Sequence, residues 1–227
     1  MSKNLQNEKL LAALEAVKFI KNDQIIGLGT GSTANLAIEA IGKMVAEGLK
    51  IKAVATSDAT EKLARECKIP LVSMDEVDSI DLTIDGTDEF DEKLNLIKGG
   101  GGALFREKMV ARLSKKEIIM ADSTKKVDFL GAFRVPVEIV PIALKYAGKQ
   151  IEKIGGKTTL RFKNDEVFKT DAGNHILDAD FGLIKDAHEV SEKLNAIEGV
   201  VCHGLFIGLA QMVIMADGDE VSIFGSI

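Results

Sequence analysis

Four short stretches carry residue types whose spacing can do chemistry. Gly27-Leu28-Gly29-Thr30-Gly31-Ser32-Thr33 sets backbone amides and the hydroxyls of Thr30, Ser32 and Thr33 at the start of a predicted helix. That is a neutral cradle for an anionic phosphate. Counted from Gly27, a dinucleotide fingerprint needs glycine where Ser32 stands, and no lysine follows the turn as a P-loop requires. A tight strand-to-helix connection would carry the same glycines. Asp85-Gly86-Thr87-Asp88-Glu89 packs three carboxylates into five positions. Like charges that close repel, and their place at the end of an apolar strand favours a pocket over a solvated acidic turn. Asp91 and Glu92 read as solvent-facing.

The third stretch is Lys98 followed by Gly99, Gly100, Gly101 and Gly102. Adjacent glycines add nothing to a core and lose the most backbone entropy on folding, so a domain keeps them where backbone curves tightly or touches a ligand. A lysine beside such amides can hold an oxyanion. Glu107 lies five residues past Gly102, where a helix begun at the glycines has completed its first turn, and a carboxylate that points back over the pocket from there can act as a general base; an ordinary surface patch Arg106-Glu107-Lys108 is the alternative. Lys125, after Ala121-Asp122-Ser123-Thr124, is a further cation with phosphate in reach or with solvent as its only partner.

The elements that must position these groups alternate. Leu10, Ala13, Leu14, Val17 and Ile20 recur at helical spacing, and a strand over 24–28 follows. Helices are predicted over 34–47, 59–67 and 102–113, and strands over 52–56, 70–73, 82–85 and 117–121. Such alternation implies a Rossmann-like α/β domain with a mostly parallel sheet covered on both faces. Ligands bind off the carboxyl ends of such strands, so both glycine loops and the acidic cluster are expected to meet at that edge. From about Phe133 the order becomes strand (134–140), helix opened by Pro141, strands (158–163 and 175–180), helix (186–197) and strand (200–206). This split βαβ order predicts a small ferredoxin-like α+β domain. The expected division is 1–130 plus 208–227 against 131–207.

Composition narrows the classes. The chain has 227 residues, 46% of them hydrophobic, enough to bury a proper core. A net charge of −6 with scattered Lys and Arg argues against nucleic acid as a partner. Cys67 and Cys202 are too few for a disulfide framework or a paired-cysteine metal site, which points to a reducing cytoplasm. No run approaches a membrane span. His175, His188 and His203 show no metal-ligand spacing, and no G-x-S-x-G nucleophile elbow occurs.

Taken in order, the four stretches, with Pro136-Val137-Glu138 and the segment Gly199 to Phe206, resemble ribose-5-phosphate isomerase of the A type over nearly the whole chain. One departure is Gly102, where some members carry alanine; it is expected to change loop stiffness and not the chemistry. The resemblance implies an intramolecular oxidoreductase interconverting ribose 5-phosphate and ribulose 5-phosphate in the non-oxidative pentose phosphate pathway, with no metal or organic cofactor. It implies Glu107 as the base, Lys98 with the Gly99, Gly100 and Gly101 amides as the enediolate-stabilising group, and Asp85 and Asp88 as the pair orienting sugar hydroxyls, with Gly86 and Thr87 beside them. Thr30, Gly31, Ser32 and Thr33, with Lys125 and Lys9, would hold the phosphate. A cytoplasmic homo-oligomer, dimer or tetramer, with no membrane or nucleic-acid partner, is the implied setting. A sugar-phosphate sensor without turnover and a nucleotide-linked oxidoreductase are the rival readings.

Overall fold

The computed structural model describes residues 4–227. Asn4 accepts the Asn7 N–H and so starts helix α1 (Leu5–Ala16), which a short 3-10 turn extends through Phe19. The predicted face is buried only in part, at Ala13, Val17 and Ile20. Glu8, Ala12, Ala13 and Ala16 point inward, while Leu10 and Leu14 are exposed. Small side chains let α1 lie close against its neighbours, where leucines would hold it off. The chain continues as β1 (Gln24–Leu28), α2 (Ser32–Ala46), β2 (Ile51–Ala55), α3 (Asp58–Glu66), β3 (Leu82–Gly86), β4 (Glu89–Phe90), β5 (Leu96–Ile97), α4 (Leu104–Leu113) and β6 (Glu117–Asp122). Then follow β7 (Val135–Ile139), α5 (Leu144–Lys153), β8 (Lys157–Leu160), β9 (Phe162–Lys163), β10 (Glu166–Val167), β11 (His175–Asp180), α6 (Ala187–Asn195), β12 (Val200–His203), β13 (Leu205–Phe206), β14 (Met212–Asp217) and β15 (Glu220–Gly225).

The chain divides into two compact units. The first comprises everything up to Thr87, with Arg106–Lys126 and Gly208–Ile227; the second is Asp88–Phe105 and Val127–Ile207. Segment 88–105 thus falls with the smaller unit, whereas the sequence reading kept it in the larger domain.

In the first unit six strands form one sheet in the order β15-β14-β6-β3-β1-β2, parallel throughout except for the β14–β15 hairpin. β6 is buried along its whole length, as parallel strands covered on both faces must be. Isoleucines 26, 84, 118 and 214 fill the core beside Ile38 and Ile41 of α2, each contributing about 1.5–3 kcal/mol by burial. The strand predicted over 70–73 is a single bridge, Leu71 to Ala53. Ser73 and Glu76 form a capping box there that turns the chain into a 3-10 helix. α4 begins at Leu104, two residues later than predicted. Among the described residues no helix is long and apolar enough to cross a membrane.

In the second unit β12-β7-β11-β8 form an antiparallel sheet with the strand order of the ferredoxin-like fold. Val135, Val137 and Ile139 of β7 and Leu177 and Ala179 of β11 pack with Ala147 and Ile151 of α5 and Leu194 of α6. Two predicted strands are broken. The segment 158–163 ends β8 at Leu160 and then turns through a β9–β10 hairpin, with Asn164 and Asp165 at φ 52° and 64°. The segment 200–206 changes partner at Gly204, passing from β7 to β5. A Cβ at Gly204 would stand 2.3 Å from the Lys98 carbonyl, so only glycine lets the chain cross there.

Candidate active site

The carboxyl edge of the first unit's sheet carries most of the predicted groups. β1 lies between β2 and β3, so the chain leaves the sheet in opposite directions from it, the switch point at which parallel sheets bind ligands. After β1 the Gly29 N–H donates to the Ile84 carbonyl and the Thr30 N–H donates to Asp85 Oδ1, at 3.0 and 3.1 Å. Gly86 N–H donates to the same oxygen at 2.7 Å, so buried Asp85 is held by two backbone amides at the end of β3. A Cβ on Gly29 would lie 2.0 Å from that carboxylate and 2.6 Å from the Asp85 Cα, which makes glycine obligatory.

Thr30 is tied into its own unit. Its hydroxyl sits 2.7–3.0 Å from those of Thr56, Ser57 and Thr60. A directed chain runs from Thr30 to Ser57, to Thr60, to the Gly29 carbonyl. Both polar groups of Thr30 that were expected to face phosphate are engaged inside the unit. Open to an anion is the start of α2, where Gly31 (φ 117°) is the N-cap and supplies no capping side chain. Lys9 Nζ donates to exposed Ser32 Oγ at 3.1 Å, so the structure does bring those two together; Thr33 is buried. Lys125 follows β6, the neighbour of β3, and its N–H closes a turn on the Asp122 carbonyl.

Glu107 reaches the same edge by helix geometry. α4 lies on β1 and β3: a Cβ on Gly27 would meet Val110 at 2.6 Å, and Ser114 pairs with Thr83 by hydroxyls 2.6 Å apart. Ser114 also bridges to Ile80, ahead of β3, so α4 runs opposite to the strands. Glu107, about one turn before Val110, therefore stands at the carboxyl end, 5% exposed. Arg106 beside it pairs at 2.7 Å with Asp58, just past the end of β2.

In the second unit the glycine run leaves β5, a strand of the small β13-β5-β4 sheet and not of the parallel one. Gly99 and Gly102 take φ 96° and 84°, and Gly102 N–H closes a turn on the Gly99 carbonyl. Gly100 N–H donates to Asp88 Oδ2 at 2.8 Å, so this amide holds a carboxylate. Lys98 is buried with its Nζ 5.4 Å from the Phe206 ring centre. Glu89 is structural: it accepts the backbone N–H groups of Gly131 and Phe133. Asp91 accepts from Lys93, Asn95 and the Asn95 side chain and so caps its own turn. At Gly102 a Cβ would meet Phe168 at 2.4 Å, so alanine there must displace a ring as well as stiffen the loop.

Sequence reasoning missed Thr56, Ser57 and Thr60, although Thr56-Ser57-Asp58-Ala59-Thr60 repeats the hydroxyl-rich pattern of Thr30 to Thr33 after a strand. It also missed Arg161 and Asp178, which nothing local marks.

A family model described as Ribose 5-phosphate isomerase A (phosphoriboisomerase A) matches residues 52–220. Ribose-5-phosphate isomerase A of Bradyrhizobium diazoefficiens is 44% identical, over 97% of this chain and 96% of that protein. A D-ribose-5-phosphate isomerase structure in complex with phospho-erythronic acid superposes with a TM-score of 0.95 at 39% identity, covering 98% of this chain and 100% of that one. Ribose 5-phosphate isomerase from Plasmodium falciparum gives 0.94 at 37% identity, over 97% and 99%. With the motif order, both unit folds and full-length relatives in agreement, the chain belongs to the ribose-5-phosphate isomerase A family.

Proposed function

We propose that this protein interconverts ribose 5-phosphate and ribulose 5-phosphate through an enediolate, with Glu107 as the base. The observation carrying this reading is a buried carboxylate in the first turn of α4, at the sheet edge that also holds Asp85 and the uncapped start of α2. An aldose–ketose exchange needs one base on one face of the sugar. Glu107 takes the proton from C2 of the open-chain aldose; the C–H pair becomes a C1–C2 double bond and the carbonyl pair moves onto O1. The proton then returns to C1, the O2 hydroxyl proton passes to O1, and C2 becomes the carbonyl.

Negative charge on the enediolate oxygens calls for fixed donors. Lys98 answers it with the Gly99 and Gly101 amides, since Gly100 is engaged by Asp88. Asp85 and Asp88, with Gly86 and Thr87, orient the sugar hydroxyls, and Asp85 assists ring opening. Gly31, Ser32 and Thr33, with Lys9 and Lys125, take the phosphate, whose binding holds the carbons over the base; Thr30 acts by fixing Asp85. The relative bound to phospho-erythronic acid supports the substrate class, because that ligand has a phosphate at one end and two coplanar carboxylate oxygens, like an enediolate, at the other. A homodimer or tetramer working in the cytoplasm, without cofactor, completes the proposal.

The test incubates chelator-treated protein with ribose 5-phosphate and follows ketose formation. Product without added nicotinamide is expected. Binding with no product would make the protein a sensor, and dependence on nicotinamide would make it a redox enzyme.

A further inference from the structure

The glycine loop joins the two-residue β5 to the start of α4, and its own amides must be aimed before substrate arrives. We propose that Arg161 is the positioning residue that does this, a role that rests on the isomerase reading above. Arg161 follows β8, and its guanidinium is itself fixed. Nε donates to Asp178 Oδ2 at 2.9 Å and Nη2 donates to Oδ1, a two-pronged pair with a β11 carboxylate. The planar group lies 5.9 Å from the Phe168 ring centre, and the Phe168 N–H donates back to the Arg161 carbonyl. Asp178 alternates along β11 with Leu177 and Ala179, which pack with α5 and α6, so it points to the opposite face of the sheet.

The remaining arm, Nη1, donates to the carbonyls of both Gly99 and Gly100, at 2.9 and 3.2 Å. A trans peptide is planar, with its N–H opposed to its C=O; no cis bond occurs among the described residues. Pulling the Gly99 carbonyl toward Arg161 therefore drives the Gly100 N–H the other way, where it meets Asp88 at 2.8 Å. Pulling the Gly100 carbonyl turns the Gly101 N–H in the same manner. A cation on each carbonyl also polarises its peptide and strengthens the N–H as a donor. One side chain thus aims two adjacent amides, one onto Asp88 and one available to an oxyanion, in a segment where four glycines impose no direction of their own. Phe168 closes the arrangement by filling the space over Gly102. Lysine cannot reproduce it, since one ammonium cannot span the Asp178 carboxylate and two carbonyls.

The experiment compares wild type, Arg161→Lys, Arg161→Gln and Asp178→Asn in ketose formation from ribose 5-phosphate, with melting curves and amide hydrogen exchange over 98–104 and over β7 and β11. Wild-type turnover is the separate check on the isomerase reading: without it that reading fails, whatever the variants do. Given turnover, kcat should fall about 10- to 100-fold in both Arg161 variants, with KM changed less than about threefold, because misaimed groups cost rate more than binding. Asp178→Asn should fall in between. Exchange over 98–104 should rise at least about tenfold with β7 and β11 unchanged, and millimolar guanidinium should restore part of the Arg161→Gln rate. A folded Arg161→Lys with wild-type kcat overturns the proposal. So does a loss confined to KM, or faster exchange spread equally through β7 and β11, which would mark Arg161 as a general brace of the unit. If Arg161→Gln does not fold, Arg161→Lys and Asp178→Asn decide by the same criteria.

Discussion

The two glycine-bearing loops aim backbone amides by different means. Gly29 to Thr33 leaves a strand flanked on both sides by parallel neighbours, and its amides point where the sheet and α2 send them. Its hydroxyls lock it further, through the chain from Thr30 to the Gly29 carbonyl. Gly99 to Gly102 leaves a two-residue strand, and charged side chains hold it: Asp88 on an amide, Arg161 on two carbonyls. The first loop is rigid because of the fold, so its variants are expected to act on stability together with binding. The second is held by two side chains, Asp88 and Arg161, so its variants should act on rate with less effect on folding.

Removing the carboxylate tests whether both loops serve one base. Glu107→Gln should lower kcat by about 100- to 10,000-fold, with the melting temperature and the binding of ribose 5-phosphate by calorimetry nearly unchanged. Near wild-type turnover would leave both loops without the purpose assigned to them.

The glycines sharpen the contrast. Gly29→Ala would put a Cβ against the Asp85 backbone, which cannot yield, and should cost about 3 kcal/mol or more in urea unfolding. Gly102→Ala meets only the far edge of the Phe168 ring, though at φ 84°, and should cost about 1–3 kcal/mol. Adding Phe168→Leu should recover part of the second loss and none of the first. Equal costs for the two alanines would erase the distinction.

Within the first loop the hydroxyls should separate. Thr30→Val leaves the cluster around Thr56, Ser57 and Thr60 short of a partner and should cost about 1–3 kcal/mol. Ser32→Ala, at an exposed position, should raise KM for ribose 5-phosphate with little change in stability. The reverse pattern would put Thr30 rather than Ser32 on the phosphate.

The smallest effect is expected at the amino-terminal end of the same strands. Asp81 accepts from the Ile25 N–H and from Lys115, and these bonds, the lysine's first, hold its carboxyl below the usual carboxylate range. A carboxyl lowered on folding stabilises the protein above its unfolded value, about 4, and ceases to do so as pH falls through its folded value. Asp81→Asn should cost under about 1 kcal/mol at pH 7, leave kcat unchanged, and melt with the wild type once the pH is low enough to protonate both states. A gap that persists there would mean that packing, not charge, accounts for the loss.

Some of this was legible because it is local. Alternating apolar runs and glycine punctuation marked β1, β3, β6, α2 and α4 to within about two residues, since chain periodicity alone decides which side chains can face a core. The acidic cluster stands out as three carboxylates at the end of an apolar strand, whereas Glu107, in a first helical turn where acids are common, is singled out by the family resemblance and not by its neighbours. Glu8, buried where leucines were expected, could not be read: its oxygens accept from Ser123 and Gly218, far along the chain.

By itself, then, the sequence determined the alternation of elements, the order of the motifs and the family they resemble, all of which depend on neighbours a few positions apart. Only the tertiary structure decided that Thr30 turns inward, that Gly100 binds Asp88, and that Arg161 reaches the glycine loop across 61 or 62 residues. The reason is physical. A hydrogen bond's direction is set by where two backbones end up relative to each other, and that follows from how the whole unit packs.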